Sequence, residues 1–143
     1  MTTDLKEKSI LVVGAGSIGG ISAALLKNAG YDVEIVCKYE EYRDIIVNRG
    51  IAVSGVKGEL GEKMNAHVSI KDSGGKKDLI FLAVKATDMA EAAEDLRPFL
   101  NPGSKIISMQ NGICEPELAR IIGRDHIVGC IVGWGASMEK PGE

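Results

Sequence analysis

Aromatic side chains are scarce in this sequence: two Phe, three Tyr and one Trp, 4% of 143 residues. A stacking platform for nucleic-acid bases is built from such rings, so their scarcity speaks against one. Positive charge is not in excess. Seventeen Lys and Arg stand against 20 Asp and Glu, for a net charge of −3, and no basic footprint for DNA or RNA remains. The small cluster Lys71, Lys76, Lys77 is diluted by Asp72 and Asp78 and reads as a solvated loop. No apolar run approaches the ~20 residues that a membrane span requires. The stretch Met1–Lys8 is polar and mixed in charge, unlike a secretory signal. Cysteine is limited to Cys37, Cys114 and Cys130, an odd number with no Cys-x-x-Cys pair and no zinc spacing. These read as reduced packing residues of a cytoplasmic protein. His67 and His126 lie far apart, and no metal site is expected.

What the sequence does have is Ile, Val, Leu, Ala and 18 Gly, with a hydrophobic fraction of 45%. Such a mix suits buried parallel strands with helices packed closely on them. The length fits one domain, and residues 1–143 are read as one. Ser9–Val13 reads as a buried strand, Ile18–Asn28 as a helix closed by Gly30, and Asp32–Cys37 as a second strand. That is a βαβ unit of about 30 residues. A short helix is expected over Lys38–Asn48, and short strands over Ile51–Ser54 and Met64–Ile70 around a Gly55–Gly61 turn region. Ser73–Lys77 reads as a loop and Asp78–Val84 as the strongest strand. Thr87 is placed to cap a helix from Asp88 to Arg97, which Pro98 ends. Pro102-Gly103 reads as a turn and Lys105–Met109 as a strand. A helix starting at Glu115-Pro116-Glu117 and ending at Gly123 precedes a last strand over Ile127–Val132. Alternation of this kind predicts an α/β Rossmann fold: a doubly wound, mostly parallel sheet with helices on both faces.

Four features carry chemistry. Gly14-Ala15-Gly16-Ser17-Ile18-Gly19 lies between a strand and a helix, the context of a dinucleotide fingerprint. Gly14 permits the tight turn, Gly16 lets the backbone approach a pyrophosphate, and Gly19 lets helix and strand pack closely. The helix start then offers free N–H groups and partial positive charge to phosphates. Lys38 stands after the second strand, where an NAD site would hold Asp or Glu. A lysine there attracts a 2′-phosphate and favours NADP(H); Glu40 and Glu41 nearby would reverse that reading if the strand ended one or two residues later. Lys85, in Val84-Lys85-Ala86-Thr87-Asp88, follows a buried strand at the sheet edge where α/β proteins bind ligands. Gln110-Asn111-Gly112 also follows a strand. It is followed by a helix start rather than a pairing strand, so it is not a hairpin turn, and Asn111 is expected at the same edge as Lys85.

These pieces, in this order, resemble the N-terminal domain of the ketopantoate reductase (2-dehydropantoate 2-reductase) family, over nearly the whole chain. The resemblance implies NADPH-dependent reduction of a 2-keto acid, most often ketopantoate to pantoate on the route to coenzyme A. It implies that Lys38 binds the 2′-phosphate, that Lys85 lies beside nicotinamide and substrate, and that Asn111 contacts both. Lys85 and Asn111 are thus the expected catalytic residues. Gly14, Ala15, Gly16, Ser17, Ile18, Gly19, Lys38, Lys85 and Asn111 are the expected cofactor contacts. The family's helical C-terminal domain supplies the general-acid lysine and a substrate-holding glutamate, and neither maps onto residues 1–143. The sequence stops just after the apolar run Ile127–Met138 and the turn Pro141-Gly142, so a truncated domain of a longer protein is expected. That run, with Trp134 in it, is expected to pack against a partner domain or to self-associate, and a homodimer is compatible with it. A regulatory nucleotide-sensing Rossmann domain without turnover is the alternative; Lys38, Lys85 and Asn111 argue against it.

Overall fold

Strands and helices alternate along the chain. Strand β1 (Ile10–Val13) leads into helix α1 (Ser17–Asn28), then β2 (Val33–Val36) and α2 (Glu40–Asn48). Two short strands, β3 (Ile51–Val53) and β4 (Leu60–Glu62), precede β5 (Asn65–His67) and β6 (Lys77–Leu82). Helix α3 (Met89–Leu96), β7 (Leu100–Ser108), α4 (Glu115–Ile122) and β8 (Ile127–Gly129) complete the order. The computed structural model describes residues 4–56 and 58–143.

Six strands form one sheet in the order β5-β2-β1-β6-β7-β8, and every neighbouring pair is parallel. Numbered among themselves, they run 3-2-1-4-5-6, the order of a doubly wound dinucleotide-binding sheet. Ile10 pairs with Val33 on one side and Leu79 on the other, so β1 is the centre. Direction of winding reverses there, and a crevice opens at the carboxyl ends of β1 and β6.

All four residues of β1 are buried, because helices cover both sheet faces. Ile10 and Val12 point to one side, where they pack with Ile35, Ile46, Ala23 and Ala24. Leu11 and Val13 point to the other and pack with Ile80, Leu82, Met89, Leu96, Ile106 and Leu118. Each fully buried Leu or Ile contributes about 1.5–3 kcal/mol relative to an exposed one. Helix α1 turns Gly19, Gly20, Ala23 and Ala24 inward, and these small residues let its axis lie close to the sheet.

Several elements depart from the expected boundaries. Thr87 is not the cap. Residues Ala86–Asp88 form a 3-10 turn, Asp88 precedes α3, and no side chain caps that helix. Pro98 sits inside a following 3-10 turn, Arg97–Phe99. Pro102-Gly103 is an excursion within β7, whose register against β6 jumps between Lys77 and Leu79. Ser104 closes this excursion: its Oγ accepts from the Asn101 N–H at 2.9 Å and donates to the Lys77 carbonyl at 2.5 Å. Leu60 and Gly61, inside the expected Gly55–Gly61 turn region, belong instead to strand Leu60–Glu62, which pairs antiparallel with β3. Part of the Gly55–Gly61 region, Lys57, lies outside the described residues, as do Met1–Thr3. The strand expected over Met64–Ile70 is only Asn65–His67, because Ile70 buries itself by opening a 3-10 turn. β8 ends at Gly129, and Val128, Ile131, Trp134 and Met138 beyond or on it are exposed. Among the described residues, no helix is long and apolar enough to cross a membrane.

Candidate functional site

The crevice at the switch point is a cavity of about 690 Å³. Gly14, Ala15 and Gly16 form its floor, Lys38 and Tyr39 one rim, and Val84 and Lys85 another. Two bonds hold the strand ends that frame it: the Gly14 N–H donates to Val36 O at 3.0 Å, and the Ala83 N–H donates to Val13 O at 2.8 Å.

The three glycines of the loop do different work. At Gly14, φ is +107°, and a Cβ would lie 2.7 Å from the Ala83 carbonyl oxygen. At Gly19, a Cβ would lie 1.9 Å from the Gly14 carbonyl oxygen. The fold itself therefore forbids side chains at both. Gly16 is unlike them. Its φ of −72° and ψ of −168° suit any residue, and a Cβ there would meet nothing within 4 Å. Nothing in the described chain asks for glycine at this position, and the open space beside it leaves room for a ligand to approach the backbone.

Gly16 is also the N-cap of α1, and it offers no side chain to the first-turn N–H groups. No acid stands in that turn. Ser17 and Ile18, both half-buried, begin the helix, so their backbone N–H groups have no acceptor within it, although neither they nor Gly19 are among the residues lining the crevice. This positive, unneutralised helix start suits an anionic group such as a pyrophosphate. The residues present thus fit a dinucleotide.

Lys38 is exposed on the rim, two residues past β2. Glu40 and Glu41 open α2 and are not among the residues lining the crevice. Lys85 is exposed three residues past β6, where its carbonyl accepts from the Asp88 N–H at 2.9 Å. Lys38 and Lys85 thus share one cavity with Gly14, Ala15 and Gly16.

Asn111 is not brought into that lining. It is exposed in the loop after β7, one strand farther from the switch point than β6, a lateral step of about 4.8 Å. Its neighbour Gln110 fixes the loop. The Gln110 Nε2 donates to Leu82 O at 2.8 Å, and its Oε1 accepts from Ser108 Oγ at 2.6 Å. The Met109 N–H also donates to Leu82 O, at 3.0 Å. Gln110 therefore ties the end of β7 to the end of β6, three residues before Lys85.

Other lining residues carried no sequence signal strong enough to single them out. Asp88, Glu91 and Asp95 of the α3 segment form an acidic wall, and their i, i+3, i+7 spacing is visible only once the helix is known. Tyr42 lies beside Gly20, with burial raising its phenol pKa above the usual range. Cys37 is buried, and that burial raises its thiol pKa, in keeping with a packing role. Ser69 and Ile70, just past β5, close the wall beside Lys38. Met138 reaches the crevice from the C-terminal segment, which anchors where the Ala52 N–H donates to Gly142 O at 2.7 Å. Trp134 is exposed and does not line the crevice.

Comparison with known proteins gives a consistent picture. The family model described as ketopantoate reductase PanE/ApbA matches residues 10–143. The chain is 34% identical over 134 residues to the 2-dehydropantoate 2-reductase of Pyrococcus abyssi, covering 93% of this chain and 42% of that protein. It is 26% identical over 140 residues to the enzyme of the same name from Lactococcus lactis, covering 94% and 44%. The solved 2-dehydropantoate 2-reductase of Geobacter metallireducens matches with a TM-score of 0.84 at 26% identity, over 94% of this chain and 44% of that one. A D-mandelate dehydrogenase solved with NADH and anilino(oxo)acetate shares the fold, with a TM-score of 0.83 at 22% identity over 94% and 44%. The chain spans somewhat over two fifths of the length of the curated relatives it matches.

Proposed function

Because this chain belongs to the ketopantoate reductase PanE/ApbA family, we propose that it is the cofactor-holding half of an NADPH-dependent 2-keto-acid reductase. The proposed substrate is 2-dehydropantoate, and the product pantoate feeds coenzyme A synthesis. One observation carries the reading: Gly16, Lys38 and Lys85 converge on a single crevice at the topological switch point.

Each residue has a task there. The Gly16 backbone and the N–H groups of Ser17 and Ile18 hold the pyrophosphate. Lys38 pairs with the 2′-phosphate; Glu40 and Glu41 do not line the crevice, and the carboxylates that do, Asp88, Glu91 and Asp95, belong to the α3 segment. Bound NADPH supplies a hydride to the keto carbon. Lys85 offers positive charge to the keto oxygen or the substrate carboxylate as charge builds. Asn111 contacts substrate from the next strand over, its loop held by Gln110. The proton that the new hydroxyl needs comes, by family resemblance, from a lysine in the helical half of the longer proteins.

A fluorescence titration with NADPH and, separately, NADH tests this. A charge-assisted contact contributes roughly 1.5–3 kcal/mol, and exposure of Lys38 puts it at the lower end. NADPH is therefore expected to bind about tenfold tighter than NADH at low salt. Preference for NADH would overturn the NADP assignment. Binding of neither would overturn the claim that these residues hold a cofactor by themselves.

A further inference from the structure

The hydroxyl of Ser69 is shut off from solvent and finds no hydrogen-bond partner among the described residues. Buried hydroxyls are normally paired, and each exception calls for a reason. Ser69 opens the 3-10 turn Ile70–Ser73, and a serine in that place would ordinarily cap the turn with its side chain. Here it does not; only its carbonyl engages the turn, accepting from the Asp72 N–H at 3.3 Å. The hydroxyl is withheld from the local structure, and Ser69 lines the crevice.

Its surroundings identify the group it would meet. Val36, Ile70 and Ala92 are buried yet line the same crevice, and they form an apolar slot between the end of β2 and α3. The far rim of that slot is acidic, with Asp88 and Glu91. A phosphate wants cations and several donors, and such a wall repels it. A purine wants apolar faces, one or two polar partners at its edge, and acceptors near an exocyclic amine. We propose that Ser69 is a binding residue of the purine slot, its hydroxyl bonding the edge of the adenine ring. The bond would be made from whichever staggered χ1 position of Ser69 faces the slot. The inference rests on the dinucleotide reading given above.

The test compares Ser69→Ala with the unmodified chain in titrations with NADPH and NADH, together with thermal unfolding without ligand. One neutral hydrogen bond is worth about three- to tenfold in affinity. The expected result is an equal loss of that size for both dinucleotides, with the NADPH-to-NADH ratio unchanged. Melting of the free protein should stay the same or rise, because the variant removes an unpaired buried hydroxyl. A loss confined to NADPH would place the hydroxyl on the 2′-phosphate and overturn the purine assignment. No loss for either dinucleotide, or a clear drop in melting temperature, would also overturn it. If the unmodified chain binds neither dinucleotide, the cofactor reading itself falls and this inference with it.

Discussion

Adding one methyl group to each of two glycines in the same loop should separate folding from binding. In Gly19→Ala, the new Cβ would lie 1.9 Å from the Gly14 carbonyl oxygen. Relief requires α1 to retreat from the loop by roughly 1.5 Å, because a backbone oxygen has no rotamer to escape into. Overpacking typically costs about 1–3 kcal/mol, and a rigid neighbour puts this case at or above the top. For a domain of 143 residues that lowers the melting temperature by about 10 °C. Gly16→Ala meets nothing within 4 Å. Alanine caps a helix less well than glycine but also restricts the unfolded chain, so stability should stay within about 1 kcal/mol. Its methyl group would, however, stand where the pyrophosphate approaches, and NADPH affinity should fall at least tenfold. Calorimetry and a fluorescence titration on the two variants decide the matter. Equal destabilisation, or undiminished binding by Gly16→Ala, would refute the division of labour.

Further outcomes follow from other contacts. Asp78 accepts from the Ser9 N–H at 2.9 Å, the Ser9 hydroxyl at 3.1 Å and Asn101 Nδ2 at 3.3 Å, and the Ser9 backbone bond foremost holds its carboxyl below the usual pKa. A carboxylate depressed on folding stabilises the protein above its unfolded pKa of about 3.9, and that contribution fades as pH falls through the folded value. Urea unfolding of Asp78→Asn should thus show a deficit of about 1–2 kcal/mol near pH 7 that narrows below about pH 4; a deficit independent of pH would contradict this. In a protein carrying both halves, Lys85→Ala should lower kcat/KM by about a hundredfold or more while NADPH affinity changes only a few-fold. Unaltered turnover in stopped-flow assays would remove Lys85 from the chemistry.

Legibility of the fold varied with the kind of signal. Continuous apolar runs such as Ile10–Val13 and Leu79–Leu82 announced central strands, because only a sheet covered on both faces buries such runs. Leu60–Glu62 was hidden: three residues with a glycine inside carry no period, and pairing with Ile51–Val53 alone makes them a strand. Thr87 was a reasonable cap by composition, but the 3-10 turn Ala86–Asp88 moved the helix start past it. The positions of Gly14, Ala15, Gly16, Lys38 and Lys85 at the crevice were readable because each follows a strand in sequence. Asn111 was readable as lying at the same edge, yet its lateral distance from the crevice depends on strand order, which local sequence does not encode. Ser69 and the acidic wall were invisible for the same reason: β5 and α3 meet across the crevice only when β6 takes its place beside β1.

That central pairing also sets a clock on synthesis. Ile10 finds its partner Leu79 only after 69 further residues have been made. At ~5–20 residues per second, several seconds separate the two, and the first βαβ unit waits with one side of β1 unpaired. During that interval Leu11 and Val13 have no α3 or α4 to lie against. The order that creates a ligand crevice therefore also leaves the nascent chain with its most apolar strand open at one edge until the second half emerges.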